Sequence, residues 1–164
     1  MDPRSKATTG ELEEQQLLGL EIFGEVRRSR QALAEIKAAT NSLGKLKDQL
    51  KNQPQLQSQA DKIEAKSGAI VNGSKSTPEA MGLEAATNGL QSVLRVVEGG
   101  DRTTPQQAIE VYGLSDEVAK KGIADWKKLK SGDLQEFNRA LEKAGLRPIE
   151  MSANEIEAET AVSN

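Results

Sequence analysis

The feature that most constrains this chain is a helical seam near its start. From Ile22 the apolar steps alternate four and three, through Val26, Ser29, Leu33, Ile36, Thr40, Leu43, Lys47 and Leu50. Leu12, Leu18 and Phe23 extend it N-terminally. Such spacing returns to one helix face every seven residues, whereas a strand would scatter it over both faces. Thr8 followed by Glu11 has capping-box spacing, and Pro54 supplies a stop near Asn52. The seam therefore predicts one helix of about 43 residues, roughly 65 Å long at the standard rise. Asn41, Ser42 and Gly44 are weak helix formers and mark where a kink would fall.

The rest of the chain keeps the same period. Leu56, Ala60, Ile63, Ser67 and Ile70 predict a second helix over 55–71, and 72–76 reads as a polar loop. Thr77-Pro78 reads as an N-cap with Pro in the first turn, opening a third helix with the face Leu83, Ala86, Leu90, Val93, Leu94 and Val97. Gly99-Gly100 ends it. Thr104-Pro105, with Gln107, repeats the cap signature before a fourth helix carrying Ile109, Val111, Leu114, Val118, Ile123, Trp126 and Leu129, weakened locally by Gly113 and Gly122. Ser131-Gly132-Asp133 is expected to break or sharply bend the chain before a short fifth helix with Leu134, Phe137 and Leu141. Its stop is explicit: Gly145 suits the left-handed C′ position, Leu146 can pack back, and Pro148 forbids continuation. No sustained period-two alternation competes.

The expected fold is all-α, an antiparallel up-down helical bundle of four main helices plus a short C-terminal helix, with a long first helix. The bundle spans 9–149. Residues 1–8 read as a linker or an artificial start, and 150–164, with Glu150, Glu155, Glu157 and Glu159, as a disordered acidic tail.

Composition narrows the chemistry. The chain has no Cys and no His, and its aromatic residues are Phe23, Tyr112, Trp126 and Phe137. Imidazole- or thiol-based nucleophilic catalysis, thiolate zinc sites and disulfides are excluded. Leu, Ile, Val and Phe make up only 35 of the 164 residues, so the core should be thin, with Ala at close contacts. A net charge of −3 with both signs intermixed leaves little self-repulsion and no dense basic face for nucleic acid. Arg27, Arg28 and Arg30 form the one basic cluster, and Glu21, Glu25 and Glu35 within about two turns predict a solvated mixed face. There is no apolar run of membrane-spanning length and no secretory leader, so a soluble chain is expected.

Local motifs reduce to structural readings. Gly68-Ala69-Ile70-Val71-Asn72-Gly73-Ser74-Lys75-Ser76 approaches a phosphate-binding loop, but one residue separates the second Gly from the Lys and the preceding segment is helical, not a strand. Asn72-Gly73-Ser74 is formally a glycosylation acceptor, to which no role is given. The neighbouring acids Glu13-Glu14 and Asp116-Glu117 diverge by about 100° on a helix, cannot converge on one substrate, and should be solvated. Trp126 and Phe137 are expected to pack in the core, and Tyr112 to sit at a bundle edge with a wet hydroxyl. No catalytic, cofactor-binding or metal-binding residue is assigned, and no cofactor is expected.

The C-terminal half carries a resemblance. Leu90 to Val97, then Asp101-Arg102-Thr103-Thr104-Pro105, Ala124-Asp125-Trp126-Lys127-Lys128-Leu129, Gly132-Asp133-Leu134-Gln135-Glu136-Phe137-Asn138 and Ala144-Gly145-Leu146-Arg147-Pro148-Ile149 resemble the C-terminal helical region of large bacterial sortilin-like propeller proteins with sialidase-type Asp-box repeats, often labelled glycosyl hydrolases. Asp2-Pro3-Arg4 and the long helix after it resemble the junction between propeller and helical tail. The resemblance implies a periplasmic or secreted location within a parent protein, whose ligand or catalytic sites belong to the propeller. The expected role is noncatalytic: a structural or interaction domain with protein partners, namely the parent propeller or a second copy as a homodimer. The alternative is a freestanding helical adaptor binding partner helices through its first helix. If the first helix outruns its partners, Leu43 to Leu50 or Leu12 to Leu20 would be left uncovered.

Overall fold

The computed structural model describes residues 9–74, 77, 80–99 and 104–149. The N-terminal linker, the Thr8 cap and the acidic tail lie outside the described residues. The fold is an all-α antiparallel bundle of α1 (Thr9–Leu50), α2 (Pro54–Asn72), α3 (Leu83–Glu98), α4 (Gln106–Leu129) and a short α5 (Gln135–Lys143). A π-helical turn, Lys130–Leu134, joins α4 to α5.

These helices form three rods. The first is α1, continuous over 42 residues and uninterrupted at Asn41, Ser42 and Gly44. Its seam is the core, with Ile22, Ser29, Ile36, Leu43 and Leu50 all buried, and Ala32 and Ala39 beside them. The second rod is α2 followed by α3, laid end to end and both running against α1. The side-chain amide of Gln15 donates to the Val97 carbonyl, and Gly19 faces the Val97 side chain, so the start of α1 lies at the end of α3. Farther along α1, the ion pair Lys47–Glu64, at 2.7 Å, ties it to α2. The third rod, α4 through α5, runs parallel to α1: Tyr112 meets Glu21 near its start, and Trp126 and Lys130 meet Glu35 farther up.

Glycines set the close approaches. Gly73, at φ 61°, ends α2, and Gly82 begins α3 directly beside it. A Cβ on Gly73 would strike the backbone of Ala80 to Gly82, and one on Gly82 would strike the Val71 carbonyl and the Asn72 backbone. The second rod can therefore turn from α2 into α3 only where two backbones lack side chains. An isolated bridge between Gly73 and Met81 closes this joint.

Three local expectations are corrected. The Thr77-Pro78 cap does not open α3: Ala80 N–H donates to the Thr77 carbonyl at 3.1 Å, and the helix starts at Leu83 behind Gly82, whose backbone must lie against Val71 and Asn72 at the end of α2. Pro78 itself lies outside the described residues. Pro105 stands at the N-cap of α4 rather than inside it, with ψ 141°, and no side-chain cap bond forms, so the Thr104–Gln107 box is not made. Its carbonyl takes the first helical amides, Ala108 at 2.9 Å and Ile109 at 3.3 Å.

Nor does Ser131-Gly132-Asp133 break the chain. The π turn keeps α4 and α5 in one rod, and so places Leu129, Leu134, Phe137 and Leu141 all in the core. Lys66 of α2 pairs with Asp133 across this turn. The C-terminal stop of α5 is as expected: Gly145 has φ 74°, and Leu146 N–H donates to the Leu141 carbonyl at 2.9 Å. Asn138 then holds the last described stretch, its side chain bonding both N–H and carbonyl of Ile149 at 2.8 and 3.2 Å.

Candidate interaction face

The C-terminal seam of α1 is covered. Of the two ends that a long first helix could leave uncovered, Leu43 to Leu50 is not one: Leu43 and Leu50 are buried and Leu46 is half-buried, because α2 folds back over this end after a three-residue turn. The N-terminal end differs. Leu18 packs against the core, while Leu17, Leu20 and Phe23 are 67%, 63% and 56% exposed. These three recur at steps of three on the side of α1 opposite Ile22 and Val26, so they form one outward stripe.

Charge brackets the stripe. Exposed Glu13 precedes Leu20 by seven residues and exposed Arg27 follows it by seven, so all three share one line along the helix. Neither Glu13 nor Arg27 forms an ion pair with another described residue. Gly24 lies on the same side, with only the tip of Arg28 within 4 Å of where a Cβ would stand.

The other two arginines are committed within the chain. Arg28 grips Glu25, with its Nε donating to Oε2 at 3.2 Å. That hydrogen bond and the carboxylate's charge push the Arg28 pKa up. With its amide oxygen turned inward, Gln91 accepts from Arg30 Nη2 and Nε at 2.9 and 3.0 Å. The expected solvated mixture thus holds for Arg27 but not for Glu25, which is 4% exposed.

Glu35 is likewise drawn in. Its Oε2 accepts from Trp126 Nε1 at 2.9 Å and from Lys130 Nζ at 2.7 Å. Burial alone would raise its pKa, but the hydrogen bonds from Lys130 and Trp126, the Lys130 charge and Gln31 together hold it below the usual carboxylate value. Trp126, 1% exposed, is therefore a core residue as expected, with a polar edge bound to α1. Phe137 is fully buried.

Tyr112 is half-buried, and the ionisation of its hydroxyl is pushed up first by burial, then by the neighbouring Glu21 carboxylate. Glu13, Glu14 and Glu117 are exposed as expected, but Asp116 is mostly buried and accepts from Lys120 at 2.6 Å. The Gly68–Ser76 string begins as helix through Asn72, whose side chain donates to the Gly68 carbonyl at 3.0 Å, and Gly73 is spent on the α2–α3 joint. Lys75 and Ser76 lie outside the described residues.

A cleft of about 130 Å³ opens at that joint, between Ile70, Met81, Val118, Lys121, Gly122 and Asp125. It is shallow beside a ligand pocket of several hundred Å³. Among the described residues, no helix is long and apolar enough to cross a membrane, and no group of three or more acidic side chains is arranged to hold a metal ion. No family model, curated protein or solved structure matches the chain. The expectation that Phe23 extends the buried seam with Leu12 and Leu18 is corrected: Phe23 stands about 100° round the helix from its chain neighbour Ile22 and faces water with Leu17 and Leu20, while Leu18 packs on the core.

Proposed function

We propose that this chain is a noncatalytic helical interaction module that docks through the outward stripe of α1. By the resemblance set out above, it serves as the C-terminal domain of a larger exported sortilin-like propeller protein. The observation that carries the reading is the exposure of Leu17, Leu20 and Phe23 on one side of α1. Single exposed apolar residues are ordinary, but a contiguous row on a helix whose opposite side already fills the core gains nothing for folding. Covering such side chains is worth roughly 1.5–3 kcal/mol each when complete, which is the driving force a docking surface needs.

Side-chain footprinting tests this. Carbene or hydroxyl-radical labelling of Leu17, Leu20 and Phe23 should fall several-fold in the intact protein that contains the chain, relative to the isolated chain at high dilution. Equal labelling in both would overturn the docking reading.

A further inference from the structure

We infer that the outward stripe of α1 is occupied by the same stripe of a second copy, antiparallel, with the two-fold axis passing at Leu20. This rests on the docking reading and names its partner. The argument comes from symmetry and charge. A two-fold interface brings residue i against residue j and j against i, so it forms only where a surface is complementary to itself in reverse.

About Leu20 the stripe has that property. At three residues to either side stand Leu17 and Phe23; at four stand Gln16 and Gly24; at seven stand Glu13 and Arg27. An antiparallel copy therefore sets Leu20 on Leu20, brings Leu17 level with Phe23 on either flank of that contact, and sets Glu13 on Arg27, each of the last two pairings made twice. Offsets of three, four and seven are those of a coiled-coil seam, so all these positions face one partner helix. Gly24 offers no side chain opposite Gln16, which lets the helices close at that level.

The charges also select orientation. A parallel pair would set Glu13 on Glu13 and Arg27 on Arg27, which is repulsive twice over. Arg28 and Arg30 do not blur this choice, since Glu25 and Gln91 hold them at the sides. Arg27 is the guanidinium that remains for a partner's Glu13.

The experiment is sedimentation equilibrium on the full 164-residue chain, with circular dichroism to confirm that each variant stays folded. The wild type should be a concentration-dependent dimer. Glu13→Arg and Arg27→Glu should each weaken it by about tenfold, because each turns two attractive pairs into two repulsive ones at exposed positions. The double reversal should restore the wild-type Kd to within about a factor of two, since opposite charges face each other again. Salt near 1 M, with a screening length of about 3 Å, should erase the differences among the charge variants. Leu20→Glu should leave a monomer at every salt concentration.

A dimer indifferent to both single reversals, or one that the double reversal does not restore, overturns the antiparallel arrangement. A monomer at all concentrations, with the stripe still protected from labelling in the intact protein, overturns the second copy as occupant while docking itself stands. Loss of that protection would instead bring down the docking reading.

Discussion

The two halves of α1 are built from one seam and solve the same packing problem, yet they treat their outer sides differently. From Ala32 to Leu50 the inward positions Ile36, Ala39, Leu43 and Leu50 are buried, and the outward ones are Lys37, Asn41, Gly44, Lys45 and Asp48. From Leu12 to Arg27 the inward positions Ile22 and Val26 are equally buried, but the outward ones include Leu17, Leu20 and Phe23. The contrast teaches that the apolar excess at the N-terminal half is not demanded by the fold: the other half is as well packed with a polar exterior.

The comparison breaks first at the largest side chain. Trp126→Ala should destabilise the protein by about 3–5 kcal/mol in urea melts, because it removes the fully buried indole of α4 that is bonded to Glu35 in the C-terminal half of α1. Phe23→Ala, in the outward stripe, should shift the melt of the dilute chain by no more than about 0.5 kcal/mol. Comparable losses in the two variants would mean that the stripe belongs to the core.

A smaller effect sharpens the polar side of the contrast. Glu35→Leu leaves the buried Trp126 N–H without its acceptor and should cost about 1–3 kcal/mol at neutral pH. Because the folded state holds the Glu35 pKa below its unfolded value, this carboxylate contributes stability that is complete above the unfolded value, near 4.5, and is lost as pH falls through the folded value. Urea midpoints measured from about pH 6 to about pH 3 should therefore show wild type and variant converging on the acid side. A gap that persists unchanged to about pH 3 would place the stabilisation in packing rather than in the charge.

The smallest effect has the opposite sign. Gly44 is helical and exposed, with nothing within 4 Å of where an added methyl would stand, so Gly44→Ala should stabilise the chain by about 0.5–1 kcal/mol in the same melts. Loss of stability on this substitution would mean that the outer side of the C-terminal half is also a contact surface.

Much of this is legible in the residues themselves. The seven-residue recurrence from Ile22 to Leu50 dictates a long helix and its buried side, and Gly145, Leu146 and Pro148 dictate how α5 ends, since both are consequences of local geometry. The cap signals at Thr77 and Thr104 mislead for one reason: cap propensity is worth about 1 kcal/mol, and the route of the chain between rods outweighs it. Likewise Ser131-Gly132-Asp133 looks like a break, but Leu134 and Phe137 gain more from burial in one continued rod than the π turn costs. The polar core is not legible either, because Glu25 and Glu35 look like any helix-surface acids until Arg28, Trp126 and Lys130 are seen beside them.

The amino-acid sequence by itself thus determined that this chain is helical, where its seams run, and that imidazole and thiol chemistry is absent from it. These follow from periodicity and composition, which act within a few residues. Only the tertiary structure decided that α2 and α3 share one rod, that Gly73 and Gly82 must meet without side chains, and that Leu17, Leu20 and Phe23 face water. Those outcomes depend on which helix lies against which, and that is set by the joint fit of surfaces distant along the chain.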